Sequence, residues 1–216
     1  MGFYGERVLP HVIKLAMRNR QFGSYRERVA AAARGRVLEV GIGTGENLSR
    51  FGAQVSEVIG IEPAARLATM ARTAARDAPM PVTVVEASAD AIPLDARSID
   101  TVVMTWTLCS VPDPNAALRE LHRVLRPDGR LLFVEHGLAP EPGVRRWQHR
   151  LTPIWKRMFG GCHLDREMSA LIAGAGFHIA QLANGYMRGP RPLTFTYEGC
   201  ATPQIRSQPD SASVSP

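Results

Sequence analysis

Four groups of side chains in this chain belong to types that do chemistry. The loop EVGIGTGEN (39–47) alternates glycines between two carboxylates, Glu39 and Glu46, and Glu62 ends the apolar run EVIGIE (57–62). His136 closes RLLFVEH (130–136), and FGGCHLDRE (159–167) places Cys162, His163 and Asp165 almost side by side. A thiol next to an imidazole suggests a metal site, a catalytic Cys/His pair, or the rim of a pocket whose chemistry is done elsewhere. Adjacent residues rarely direct two side chains at one metal, and no further Cys or His stands at zinc-site spacing, so the expectation is no metal.

These groups sit at the ends of elements that would have to position them. RVLEVG (36–41), EVIGIE (57–62), VTVVEA (82–87), IDTVVMTW (99–106) and RLLFVEH (130–136) read as strands bounded by Gly, Pro or charge. ENLSRFG (46–52), AARLATMARTAARD (64–77) and PNAALRELHRVLRPDG (114–129) read as helices between them. In the last of these, Asp113 is the N-cap, Pro114 the first helical residue, and Pro127 to Gly129 the stop. Such alternation predicts an α/β fold with a doubly wound, Rossmann-like parallel sheet. Residues 144–158 are helical in pattern with a kink at Pro153, and a helix over 166–175 precedes two more strands, FHIAQLAN and LTFTYEG. The Pro/Ser-rich end, 201–216, reads as a disordered tail.

At 216 residues and 45% hydrophobic composition, the chain suits one globular domain. Three cysteines give neither the density nor the parity of a disulfide framework, which points to a reducing compartment. No apolar run approaches the ~20 residues of a membrane span, and the opening MGFYGERVLP lacks a signal-peptide core, so the expectation is a cytoplasmic protein. The net charge of +6 resides in residues 1–36, which hold eight basic and two acidic residues. Interleaved with Val8, Leu9, Val12, Ile13 and Met17, that charge describes a basic helical arm over 1–35. It would pack on its own domain, serve as a lid, or rest through residues 1–20 on the inner membrane surface. Nucleic acid is not expected as a partner, because aromatic residues are not regularly interleaved with the charges as a stacking surface requires.

A dinucleotide-binding loop wants glycines at 41, 43 and 46; here they are Gly41, Gly43 and Gly45, with Glu46 following. Carboxylates on both sides would repel a pyrophosphate and suit a cationic or zwitterionic ligand end, such as the amino group and sulfonium of S-adenosylmethionine. The loop alone also reads as an ordinary tight βα turn. Glu62, ending the next strand, has the bidentate carboxylate that two ribose hydroxyls need. With RVLEVGIGTG, GIEP, ASADAIPL and IDTVVMTWTLCSVPDPNAALRELHRVLRPDGRLLFVEH in this order, the sequence resembles the class I S-adenosylmethionine-dependent methyltransferases over 36–136. The resemblance implies a seven-stranded, mostly parallel sheet with a reversed last strand, and a methyltransferase domain over 36–200. It places Glu39, Gly41 and Gly43 at the methionine half of the cofactor, Gly45 in the same cofactor-binding loop, Glu62 at the ribose, Ser88 and Ala89 at the adenine edge, and Thr105 beside the methionine half. Ser88 stands where many relatives have Asp or Asn, with Asp90 two positions on.

Residues 142–167 and the opening segment resemble a narrower branch that contains thiol methyltransferase-like and phospholipid N-methyltransferase-like proteins. This implies an acceptor cap over 142–167, with Trp147, Trp155 and Phe159 as apolar walls, Gly160 and Gly161 as the turn, Cys162 at the pocket, and Asp165 capping the next helix. The aromatics are equally readable as packing for the cap. Cys109 would line the same pocket or fill a small buried space. His136 is the first choice for a base or thiolate-stabilising group, since a thiol of pKa ~8.5 reacts slowly near neutral pH until deprotonated; a structural histidine bonded to a loop carbonyl is the other reading. The expected reaction is methyl transfer to a small or lipophilic nucleophile, a thiol first, with a phospholipid amine or a quinone ring carbon as alternatives. A non-catalytic cofactor-binding protein is the alternative of another class.

Overall fold

The computed structural model describes residues 20–204. The strands are β1 (Gly35–Val40), β2 (Val55–Ile61), β3 (Val82–Val85), β4 (Ile99–Thr105), β5 (Leu125–His136), β6 (Phe177–Tyr186) and β7 (Phe195–Pro203). The helices are α1 (Arg20–Ala32), α2 (Ala65–Ala75), α3 (Pro114–Val124), α4 (Pro142–Met158), α5 (Met168–Gly174) and the short α6 (Arg191–Thr194). All seven strands form one sheet in the order β3-β2-β1-β4-β5-β7-β6. The first five pair in parallel. β7 runs antiparallel to β5 and β6, the reversed last strand that the resemblance implies.

The central strands β1, β2, β4 and β5 are largely apolar on both faces because helices cover both. Period-two alternation sends Val37, Val58, Val103 and Val134 to the face under α1 and α2. Leu38, Ile59, Ile61, Val102, Met104 and Phe133 go to the opposite face with Leu118 and Leu121 of α3, Met168 and Ile172 of α5. The strand order reverses at β1, which pairs with both β2 and β4. At such a switch point the loops leaving the carboxyl ends of neighbouring strands diverge and open a crevice.

Local signals read from the sequence hold at the start of α3, where the Asp113 carboxylate accepts from the Asn115 and Ala116 N–H groups at 3.0 and 2.9 Å. Four expectations need correction. The helix expected over 46–52 is a single 3₁₀ turn, Leu48–Arg50. Asn47 is drawn inward to Glu39 and Thr105, so its amide serves the interior rather than a helix start. α3 stops at Val124 because Leu125 already pairs with Ile99, so 127–129 lie in β5 instead of closing the helix. Asp165 does not cap α5; Glu167 does, accepting from the Ala170 N–H at 2.6 Å. The chain does not leave the fold at 201, since Ala201 pairs with Leu131 and Ile179.

Of the basic arm, residues 20–32 form α1, while residues 1–19, with most of the expected lid or membrane-contact segment, lie outside the described residues. Residues 205–216 of the expected tail lie outside them too. Among the described residues no helix is long and apolar enough to cross a membrane.

Candidate functional site

A cleft of about 530 Å³ opens at the switch point. The loop after β1 forms its floor. Gly41 has φ +66°, and a β-carbon there would stand 2.6 Å from the Thr107 side chain, so only glycine lets the loops after β1 and β4 lie together. Glu62, buried at the end of β2, accepts from the Gly43 N–H through one oxygen and the Ala64 N–H through the other, each at 3.1 Å. Each oxygen keeps a lone pair for a ligand facing the cleft. Burial raises the Glu62 pKa, and the two backbone donors pull it back.

Behind the loop lies a buried polar network. Asn47 donates to Glu39 at 2.8 Å and to the Thr105 hydroxyl at 3.2 Å. Arg26 of α1 donates to the Asn47 carbonyl at 2.8 Å and to Thr105 at 3.3 Å. Burial pushes the Glu39 carboxyl up to about 7, while Arg26 and the Asn47 amide oppose that rise. Two atoms of this network are buried without a partner, Glu39 Oε2 and Arg26 Nε. One spare acceptor and one spare donor fit a zwitterionic amino-acid end, and the acidic loop fits a positive charge next to it. Trp106, a non-glycine at φ +53°, turns the chain out of β4 and packs edge-on against Phe22 and Tyr25, which seats α1 over the cleft.

The other end of the cleft is built by three loops. Glu135, wholly buried in β5, accepts from the N–H groups of Thr107, Leu108 and Cys109 at 2.8, 2.9 and 3.1 Å. The Cys109 carbonyl accepts from the His163 N–H at 2.7 Å, which ties the turn after α4 to the loop after β4. Gly161, at φ +89°, lies where a β-carbon would come within 3.1 Å of the Ser110 carbonyl. α4 is fixed by buried Gln148, which accepts from the Ala139 N–H and donates to the Gly137 carbonyl, both at 2.9 Å. As a result the Cys162 sulfur is 3.5 Å from that of Cys109 and 3.9 Å from His136 Nδ1. The Cys109 hydrogen bond lowers the Cys162 pKa, and the same bond, with burial, raises that of Cys109. Trp155 and Phe159, stacked at 4.0 Å between ring centroids, wall this end.

The cleft is lined by Gly41, Gly43, Glu62, Ser88, Ala89 and Thr105 at one end, and by Cys109, His136, Trp155, Phe159, Gly160 and Cys162 at the other. Three expected positions, Glu39, Gly45 and Trp147, fall elsewhere. Glu39 lies behind the loop, in the network. Gly45, at φ +82°, turns the loop against Ala74 and Leu48 and so shapes the floor without lining it. Trp147 is 55% exposed on the outer face of α4, under the Arg150 guanidinium, because the helix turns the cap's other aromatics inward. His163 parts from its neighbour Cys162 and faces Asp165 instead, with 3.7 Å between Nδ1 and the carboxylate. Residues that pattern reading missed are Phe22 and Arg26 of α1, Trp106, and Met187 and Leu193 beyond β6, all of them lining the cleft. Arg26 carried a signal only as one charge among the many in the arm.

The chain matches the family described as "Methyltransferase domain" over residues 38–133. It is 33% identical over 175 residues to human thiol S-methyltransferase TMT1B, covering 80% of this chain and 70% of that protein. It is 45% identical over 86 residues to rat thiol S-methyltransferase TMT1B, covering 39% of this chain and 35% of that one. The fold superposes on a SAM-dependent methyltransferase from Methanosarcina mazei with a TM-score of 0.64 at 22% identity, covering 82% of this chain and 96% of that one. Fold, acidic glycine loop and relatives agree: the chain belongs to the class I S-adenosylmethionine-dependent methyltransferases.

Proposed function

We propose that this methyltransferase acts on the sulfur of a small thiol. The observation that carries the reading is one continuous cleft whose acidic glycine-loop end leads directly into an end of sulfur, imidazole and stacked aromatic groups. The thiol S-methyltransferases among its relatives support the same acceptor.

S-Adenosylmethionine supplies a methyl group on a positively charged sulfur, ready for direct displacement. Glu62 would hold the ribose, Ser88 and Ala89 the adenine edge, and Arg26, backed by Glu39 behind the loop, the amino-acid end. These contacts orient rather than react, and orientation with exclusion of water supplies much of the acceleration of such a transfer. Phe22 and Trp106 from one side, and Trp155 and Phe159 from the other, would keep water from the reacting atoms. The acceptor sulfur needs to be a thiolate, and His136, half-buried at the end of β5, is placed to take its proton or to stabilise the anion.

Incubation of the full chain with labelled cofactor and a panel of small thiols, a phospholipid amine and a quinone tests this. Label in thioethers is the expected result. Label confined to the amine or the quinone would transfer the site to another acceptor, and cofactor binding without any transfer would make it a non-catalytic binder.

A further inference from the structure

Cys109, His136 and Cys162 each offer one ligand atom, and the three atoms lie within 4.8 Å of one another. Two of the edges are 3.5 Å between sulfurs and 3.9 Å from sulfur to Nδ1. A tetrahedral ion with metal–sulfur bonds of ~2.3 Å and metal–nitrogen bonds of ~2.0–2.1 Å spaces its ligands by about 3.5–3.8 Å. All three side chains line the acceptor end of the cleft.

We propose that Cys109, His136 and Cys162 form a zinc site with one open position, and that the acceptor sulfur takes that position. The proposal rests on the thiol reading above and deepens it. Two thiolates and an imidazole select a borderline-soft ion over magnesium or calcium. Three protein ligands with a vacant corner mark a catalytic zinc rather than a structural one, which would be closed by a fourth. The backbone is already committed to this arrangement. Glu135 fixes the Cys109 N–H, Arg166 holds the Leu108 carbonyl, and the His163 N–H binds the Cys109 carbonyl. Little is left to reorganise when an ion arrives.

The site changes how the acceptor loses its proton. The acceptor S–H bond breaks as a zinc–sulfur bond forms, and the proton leaves to solvent through the cleft. In transfer, a lone pair of that sulfur forms the new S–CH₃ bond while the C–S bond of the sulfonium breaks. The bonding pair stays on the departing thioether, and the methylated product, now neutral, binds zinc weakly and leaves. His136 is then a ligand and no longer the proton acceptor.

The full chain, prepared under reducing conditions and stripped with a chelator, is titrated with Co²⁺ as a spectroscopic substitute for zinc. The expected result is one ion per chain, intense near-ultraviolet thiolate-to-cobalt absorption, and the visible bands of a tetrahedral centre. The signal is lost in C109S and in C162S, and kept in C200S, whose cysteine lies outside the cleft. A small thiol added without S-adenosylmethionine should shift the visible bands as it enters the fourth position. The wild-type spectrum counts thiolates whether or not the variants fold. Absence of thiolate absorption, or a signal that survives both C109S and C162S, overturns the site. Restoring Zn²⁺ to the stripped protein should raise thiol methylation about 10-fold or more. Thiol methylation undiminished by stripping overturns the activation and leaves the thiol reading standing. The full cobalt signature in a protein that methylates no thiol in any metal state upholds the site and overturns the thiol reading.

Discussion

Gly43 and Glu62, which floor the cofactor end, stand 19 positions apart and meet through one hydrogen bond across adjacent strands. Cys109 and Cys162, at the acceptor end, are 53 positions apart and meet through sulfur atoms carried on two separate loops. The first end follows from local geometry, since a strand, a glycine turn and the next strand's last residue arrive together whenever the sheet forms. The second end exists only because one buried carboxylate gathers a loop, one glutamine pins a helix, and one carbonyl joins the two loops. Cofactor binding is well served by the first construction. The second leaves the acceptor end open to change through distant substitutions.

The sharpest way to break this contrast is Glu135→Ala, which strands three backbone donors in the interior. Unsatisfied buried donors cost ~1–3 kcal/mol each, offset by relief of the desolvated carboxylate, so a net loss of about 3–5 kcal/mol is expected. For a chain of this size that lowers Tm by roughly 10 °C in a thermal melt. An unchanged Tm would mean that the loop after β4 supports itself. Glu135 also shows where sequence reading stops. VEHG displays it as one more acidic residue beside the histidine, yet its partners lie 26 to 28 positions upstream. By contrast Asp113 was legible because its carboxylate works on the first helical turn that follows it, and Gly41 and Glu62 because the glycine loop and the acidic strand end are each written in consecutive residues, although their partners stand 66 and 19 positions away. Arg26 was hidden in the opposite manner. Within a strongly basic segment nothing local distinguishes the one guanidinium that is buried and bound to Asn47 and Thr105.

A second test uses pH, since Glu39 at the cofactor end, like Glu62, is a buried carboxylate whose pKa is raised. Its pKa rises from 4.5 to about 7, mainly by desolvation. Between those values the folded protein keeps a proton that the unfolded chain has released, so the unfolded state binds fewer protons. The contribution to stability is therefore full below 4.5 and is lost as pH rises through about 7, with a total decline of about 3 kcal/mol. Urea melts across this window should show the decline in the wild type and a flatter profile in E39Q. Bound S-adenosylmethionine, bringing positive charge to the ionised form, should reduce the slope and bind more tightly as pH rises. A wild-type slope matched by E39Q would remove Glu39 from this role.

Glu62→Ala probes the same end by affinity. The variant removes the carboxylate that faces the cleft and frees the Gly43 and Ala64 N–H groups. Calorimetry with S-adenosylmethionine should show a loss of about 1–3 kcal/mol, roughly 5- to 150-fold in Kd. Acceptor affinity in the same variant, measured at saturating cofactor, should be little changed if the two ends are built independently. A parallel loss in both would merge them into one unit.

The smallest expected effect falls on the two tryptophans of α4, which share a helix and part company at its surface. Trp155 lines the cleft and stacks on Phe159, so Trp155→Ala should raise the KM for thiol several-fold. Trp147 is 55% exposed and touches Arg150 on the outer face, where a cation–π contact is worth ~0.5–1 kcal/mol at best. Trp147→Ala should therefore change stability by no more than about 0.5 kcal/mol and leave the KM for small thiols as it is. Steady-state kinetics on the pair measures the difference directly. A KM for Trp147→Ala that rises as far as that for Trp155→Ala would mean that α4 rotates its outer face into the cleft during turnover. The acceptor end would then be assembled by motion of the cap as well as by the loops that Glu135 gathers.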